Sequence, residues 1–120
     1  MQISIKLFPY ILVLALKRSY DHWSGKKTSD NSIYIYNNLV FTDSIGGKND
    51  KIEYILVGII HHFGSFGSDD YITDWLDLET KNAYRFYDSQ VSTLENNCLG
   101  NQKSDSAYIL FYQKIKKDQN

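Results

Sequence analysis

The stretch Tyr54-Ile55-Leu56-Val57-Gly58-Ile59-Ile60-His61-His62-Phe63-Gly64 decides how this chain folds. Tyr54 to His62 is an unbroken apolar run ending in two histidines, with Gly46-Gly47 and Asn49-Asp50 before it and a Gly/Ser-rich segment after it. A short continuous run of this kind, rich in β-branched residues and bounded by turn formers, predicts a central strand covered on both faces. Phe63 to Asp70 is expected to be a loop.

Working outward, Pro9 to Lys17 (PYILVLALK) is a second apolar run. Its periodicity fits a doubly covered strand or a buried helix, and we read it as a strand. Ser32–Tyr36, Leu39–Phe41, Tyr71–Trp75, Ala83–Tyr87 and Ala107–Lys114 carry the aromatic and β-branched residues of shorter strands. Polar Asp77 to Asn82 reads as a hairpin connection. Ser89 to Asn97 predicts one short helix, with Ser89 or Ser92 as N-cap and Glu95 three residues after Ser92. Asn97 to Ser106 reads as loop and residues 115–120 as a frayed tail. With no repeat, heptad or Pro-rich linker, the expectation is one mostly antiparallel β unit.

Composition narrows the function classes. At 120 residues, 42% apolar and 22% charged, the chain has room for one packed core. A net charge of -1 provides no field for nucleic acid or an anionic membrane. The single cysteine, Cys98, can make no internal disulfide, which points to a reducing compartment, cytosol or nucleus. Phe8 to Leu16 has the length of a signal-peptide core, but Pro9, Lys17 and Arg18 and the lack of a small-residue cleavage pattern argue against secretion. The run is too short to span a bilayer.

The order of several blocks resembles the ubiquitin-specific protease family, papain-like thiol enzymes that cleave ubiquitin from its conjugates. Lys6-Leu7-Phe8-Pro9 followed by Leu12 to Arg18 looks like the family's Leu-Pro leading to a strand that ends in Leu-Lys-Arg, with Phe8 inserted before the proline. Tyr54-Ile55-Leu56, Gly58-Ile59-Ile60 and His62-Phe63-Gly64 match the family's Tyr-x-Leu, Val-Val and His-x-Gly strand. Tyr71 falls at the tyrosine of the Gly-His-Tyr box; Phe86 to Val91 and Ala107 to Tyr112 complete the series. The resemblance covers residues 6–114 and implies an α+β papain-like fold, of which residues 1–120 form only the β-rich C-terminal part, with at most one or two short helices.

It also implies an active site that is not intact. A thiol hydrolase needs a cysteine, a histidine that takes and returns its proton, and an Asp or Asn that orients the imidazole. The family's cysteine box is absent. Asp70 stands where the box places histidine, and an aspartate, titrating near 4 in its ordinary state, is a poor acid for a leaving amine at neutral pH. The orienter position holds Tyr87, with Asp88 one residue on. Gly64, Tyr71 and His62 are the positions the resemblance places at the groove for ubiquitin's C-terminal tail, although His62 fits a satisfied strand-end histidine as well.

Cys98 paired with His61 or His62 makes a weak dyad, because a strand sends adjacent side chains to opposite faces and the loop around Cys98 has no basic neighbour. His61, His62, Asp69 and Asp70 lack metal-ligand spacing, and the zinc-binding cysteine pairs of many family members are missing, so no metal or cofactor is expected. The expected partners are ubiquitin or a ubiquitinated protein, plus the missing N-terminal lobe or another protein to cover the sheet. Two readings stand beside a decayed or partial deubiquitinase: a noncatalytic ubiquitin-binding or interaction module, and an unrelated small β-protein.

Overall fold

A computed structural model describes residues 8–16, 20–21, 26–27, 32–43, 50–65, 68–95 and 97–115. The described residues form eleven strands: β1 Ile11–Ala15, β2 Tyr20–Asp21, β3 Lys26–Lys27, β4 Ile33–Ile35, β5 Asn38–Asp43, β6 Asp50–Ser65, β7 Ser68–Leu76, β8 Ala83–Tyr87, β9 Gln90–Leu94, β10 Gln102–Ser104 and β11 Ala107–Lys114. Seven form one sheet in the order β1-β11-β6-β7-β8-β9, with β5 also paired to β6. Every pairing is antiparallel.

The stretch quoted first is the middle of this sheet. β6 pairs with β11 along one side, while β5 and β7 share the other, β5 along Asp50–Ile55 and β7 along Gly58–Ser65. One extra residue of β6 at Val57 and one of β11 at Tyr108 shift the register. Such bulges reverse the alternation of side chains. Tyr54 and Leu56 before the Val57 bulge therefore share a face with Ile59 and His61 after it.

That face is the core side. Leu12, Tyr54, Leu56, Ile59, Leu76, Ala83, Leu110 and Tyr112 are buried in one cluster with Ile35 and Leu99, which bring the small β4–β10 sheet over it. The two buried tyrosines spend their hydroxyls on backbone: Tyr54 Oη donates to Pro9 O and Tyr112 Oη to Tyr36 O, each at 2.6 Å. Burial pushes the Tyr112 hydroxyl up to about 12, so it remains a donor. On the opposite face the Trp75 ring lies across Gly58, where an added Cβ would come within 2.5 Å of Trp75 Cζ3. The glycine makes that approach possible.

The expected strands are in place, with three corrections. Ser89–Asn97 is not a helix: Gln90–Leu94 is β9, paired along its length with β8 through the turn at Asp88 and Ser89. Asp88 carries the positive φ of 51° such a tight hairpin turn requires. The Phe63–Asp70 loop is mostly strand, with Phe63↔Asp70, Gly64↔Asp69 and Ser65↔Ser68 in register. Part of the expected Asn97–Ser106 loop is β10. Lys6-Leu7, the Gly46-Gly47 turn and residues 116–120 lie outside the described residues.

Candidate functional site on the β6–β8 hairpins

Register decides which side chains can meet. Across β6 and β7, His61 opposes Ile72, His62 opposes Tyr71 and Phe63 opposes Asp70; across β7 and β8, Asp74 opposes Arg85. Alternation then places Phe63, His61, Asp70, Asp74, Arg85 and Tyr87 on the core side of the sheet, and His62, Asp69, Tyr71 and Thr73 on the other.

Asp70 and Tyr87, the positions the resemblance gives to the histidine and its orienter, thus share a face. Both lie at its open end: Asp70 is exposed, Tyr87 is 37% exposed, and Asp88 is exposed in the β8–β9 turn. Gly64, His62 and Tyr71 come together on the opposite face. His62 Nε2 lies 2.9 Å from Asp69 Oδ1, and its ring sits 5.0 Å from Tyr71 and 5.8 Å from Tyr108. A Cβ on Gly64 would stand 2.8 Å from Asp69 Oδ1 and 3.0 Å from the His62 ring, so the glycine leaves room for this pair.

Sequence reasoning missed a chain of polar groups farther along the core face. Ser106 Oγ is 2.9 Å from His61 Nδ1, His61 Nε2 is 2.9 Å from Asp74 Oδ2, and Arg85 donates through Nε (2.7 Å) and Nη2 (2.9 Å) to the two Asp74 oxygens. His61 and Asp74 are buried. Burial pushes the Asp74 carboxyl up, but hydrogen bonds and charge from Arg85 and His61 outweigh it and bring the group down to about 2. The carboxylate is then acceptor-only, so Nε2 of His61 carries hydrogen. In the neutral imidazole Nδ1 is a lone pair, and the Ser106 hydroxyl must donate to it. The signal was present in the sequence: Asp74 and Arg85 are charges at core-facing positions of apolar strands, and a buried charge needs a partner.

The remaining candidates are separated. His61 and His62 point to opposite faces, and no group of three or more possible metal ligands occurs among the described residues. Cys98 Sγ donates to Gly100 O at 3.6 Å in the loop before β10. Both ring nitrogens of His61 are engaged elsewhere, by Asp74 and Ser106.

This mostly antiparallel sheet is the β-rich part of a papain-like ubiquitin-specific protease fold. The SAGA Ubp8/Sgf11/Sus1/Sgf73 DUB module superimposes on it with a TM-score of 0.67 at 28% identity over 92% of this chain and 24% of that one. The same module bound to ubiquitin aldehyde gives a TM-score of 0.67 at 27% identity, over 92% and 25%. The family profile of ubiquitin carboxyl-terminal hydrolase matches residues 2–112, and the chain belongs to that family. Among curated relatives, ubiquitin carboxyl-terminal hydrolase 8 of Arabidopsis thaliana is 32% identical over 110 residues, 89% of this chain, and hydrolase 9 of the same plant is 28% identical over 112 residues, 92% of this chain. The chain spans 12% of the length of each. Membership in the family sets aside the unrelated small β-protein.

Proposed function

We propose that this chain is a C-terminal β portion of a ubiquitin carboxyl-terminal hydrolase domain that holds ubiquitin's tail without cleaving it, in the cytosol or nucleus that a lone free thiol favours. The observation that carries the reading is the commitment of both described histidines. His61 is buried between Asp74 and Ser106, His62 is held by Asp69 on the other face, and the residue matched to the family's histidine is the carboxylate of Asp70. A thiolate brought to the Asp70–Tyr87 end of the core face would meet a carboxylate of like charge, and the His61 imidazole farther along that face is already engaged by Asp74 and Ser106.

Tail binding is supported by the Gly64, His62 and Tyr71 cluster, where an open glycine backbone beside two rings suits an extended Gly-rich peptide. Ubiquitin as the ligand is supported by a related fold bound to ubiquitin aldehyde. Incubation with ubiquitin carrying a C-terminal thiol-reactive electrophile is expected to give no adduct; labelling of Cys98 would overturn the loss of hydrolysis. Titration of the 15N-labelled chain with ubiquitin is expected to shift the Gly64 and Tyr71 amides, and an unchanged spectrum would remove the binding claim.

An interaction module is the second reading. Ile11, Val13, Trp75, Phe86 and Val91 are all more than 40% exposed on the face away from the core, an apolar surface of the kind that takes a covering partner. An N-terminal lobe of the family's type, or another protein, fills that role.

A further inference from the structure

We propose that Ser106 is an activated nucleophile, and that the Ser106–His61–Asp74 chain gives this protein an acyl-transfer activity toward small carboxylic esters, separate from any thiol chemistry and from ubiquitin binding. The geometry meets the requirements of serine catalysis one by one. The hydroxyl is within hydrogen-bond reach of an imidazole, the other imidazole nitrogen is on a carboxylate, and that carboxylate is fixed by a two-point contact with Arg85. Such an arrangement is recognised by roles and distances, whatever the order in the chain.

Position favours reaction at Ser106 over the rest of the chain of contacts. His61 and Asp74 are buried, whereas Ser106 is partly exposed in the turn between β10 and β11, whose backbone is pinned by the His62 N–H bond to Ser106 O at 2.8 Å. Oxyanion donors are adjacent as well. The N–H groups of Ser106 (3.3 Å) and Ala107 (2.9 Å) converge on Ser104 Oγ, which lies 3.5 Å from Ser106 Oγ. Rotation of the Ser104 side chain opens that point to the oxygen of a bound carbonyl.

The step balances without a further reactant. A lone pair of Ser106 Oγ forms the bond to the carbonyl carbon as the hydroxyl proton passes to His61 Nδ1. The imidazolium is stabilised by Asp74. Collapse breaks the bond to the ester oxygen, which leaves as an alcohol with the proton from Nδ1, and water then releases the acyl group by the same proton route.

The test uses the full 120-residue chain and a biotinylated alkyl fluorophosphonate, in which Ser106 Oγ displaces fluoride from phosphorus. Tryptic mass spectrometry is expected to find the adduct on Ser106. S106A should abolish it, and H61Q should slow it by ~100-fold, the scale of a lost general base. Labelling in urea needs no variant and covers the case in which H61Q fails to fold: it should vanish when the chain is unfolded. No adduct on the folded chain, an adduct at another serine, or equal labelling in urea overturns the proposal.

Discussion

The two ends of the β6–β7 hairpin differ although the same ladder runs through both. At the Leu76 end, Gly58↔Trp75 and Ile59↔Asp74 pair beneath the core cluster, and Asp74 is locked by His61 and Arg85. At the Ser68 end, Asp70 is exposed and the Gly64, His62 and Tyr71 cluster faces solvent. Backbone pairing sets where the hairpin goes; side-chain burial decides which end is held in one arrangement and which remains open to a ligand. In this chain the positions to which the resemblance assigns chemistry and binding, Asp70, Tyr87, Gly64, His62 and Tyr71, lie at the open end.

The sharpest way to break the contrast is Asp74→Ala. It leaves His61 and Arg85 without their carboxylate, and the expected loss is about 3 kcal/mol in urea unfolding, the low end for a broken buried pair because Arg85 is partly solvated. Asp70→Ala at the open end is expected to change stability by less than about 0.5 kcal/mol. Equal losses from the two would erase the distinction.

Next in size is the acid limb. Because the Asp74 carboxyl is depressed from 3.8 to about 2 in the folded chain, its stabilisation is fully present above the unfolded value and disappears as pH falls through the folded one. A loss of about 2 kcal/mol is expected between pH 4 and 2, and Asp74→Asn should remove that dependence. Thermal melts of both proteins across this range check it.

The smallest effect concerns packing on the outer face. Gly58→Ala places a methyl against Trp75 Cζ3 and Cε3 and 3.3 Å from Phe111 Cδ2. A cost of about 1–2 kcal/mol is expected, since the half-exposed Trp75 ring can move. Broadened or shifted Trp75 indole resonances with an unchanged Asp70 amide would show that the disturbance stays at the held end.

Much of the fold was legible. Ala83–Tyr87 and Ala107–Lys114 are strands with the expected bounds, and the central run is the strand on which the sheet is built. Local signals failed where pairing overrode them. Ser92 and Glu95 make a good capping box on paper, but Val91, Thr93 and Leu94 pair with β8 once the Asp88 turn brings them round. The two residues of the His61–Asp74 pair lie 13 apart in sequence, and their meeting depends on the β6–β7 hairpin register, which the alternation pattern of neither strand announces. The resemblance singled out Gly64, His62 and Tyr71, which the fold brings together on one face; for the polar chain the charges of Asp74 and Arg85 were the only signal, and the partners they meet follow from the register.

The pairing of β1 with β11 also dictates how the chain reaches its fold. Ile11 finds its partner in Gln113, so this edge of the sheet forms only after nearly the whole described chain has been gathered in between. A pairing between such distant partners forms slowly, and during synthesis the apolar Ile11–Ala15 segment emerges long before the strand that covers its edge has been translated. Newly made chains therefore need protection of that segment, by a chaperone or by neighbouring protein, until Ala107–Lys114 leaves the ribosome.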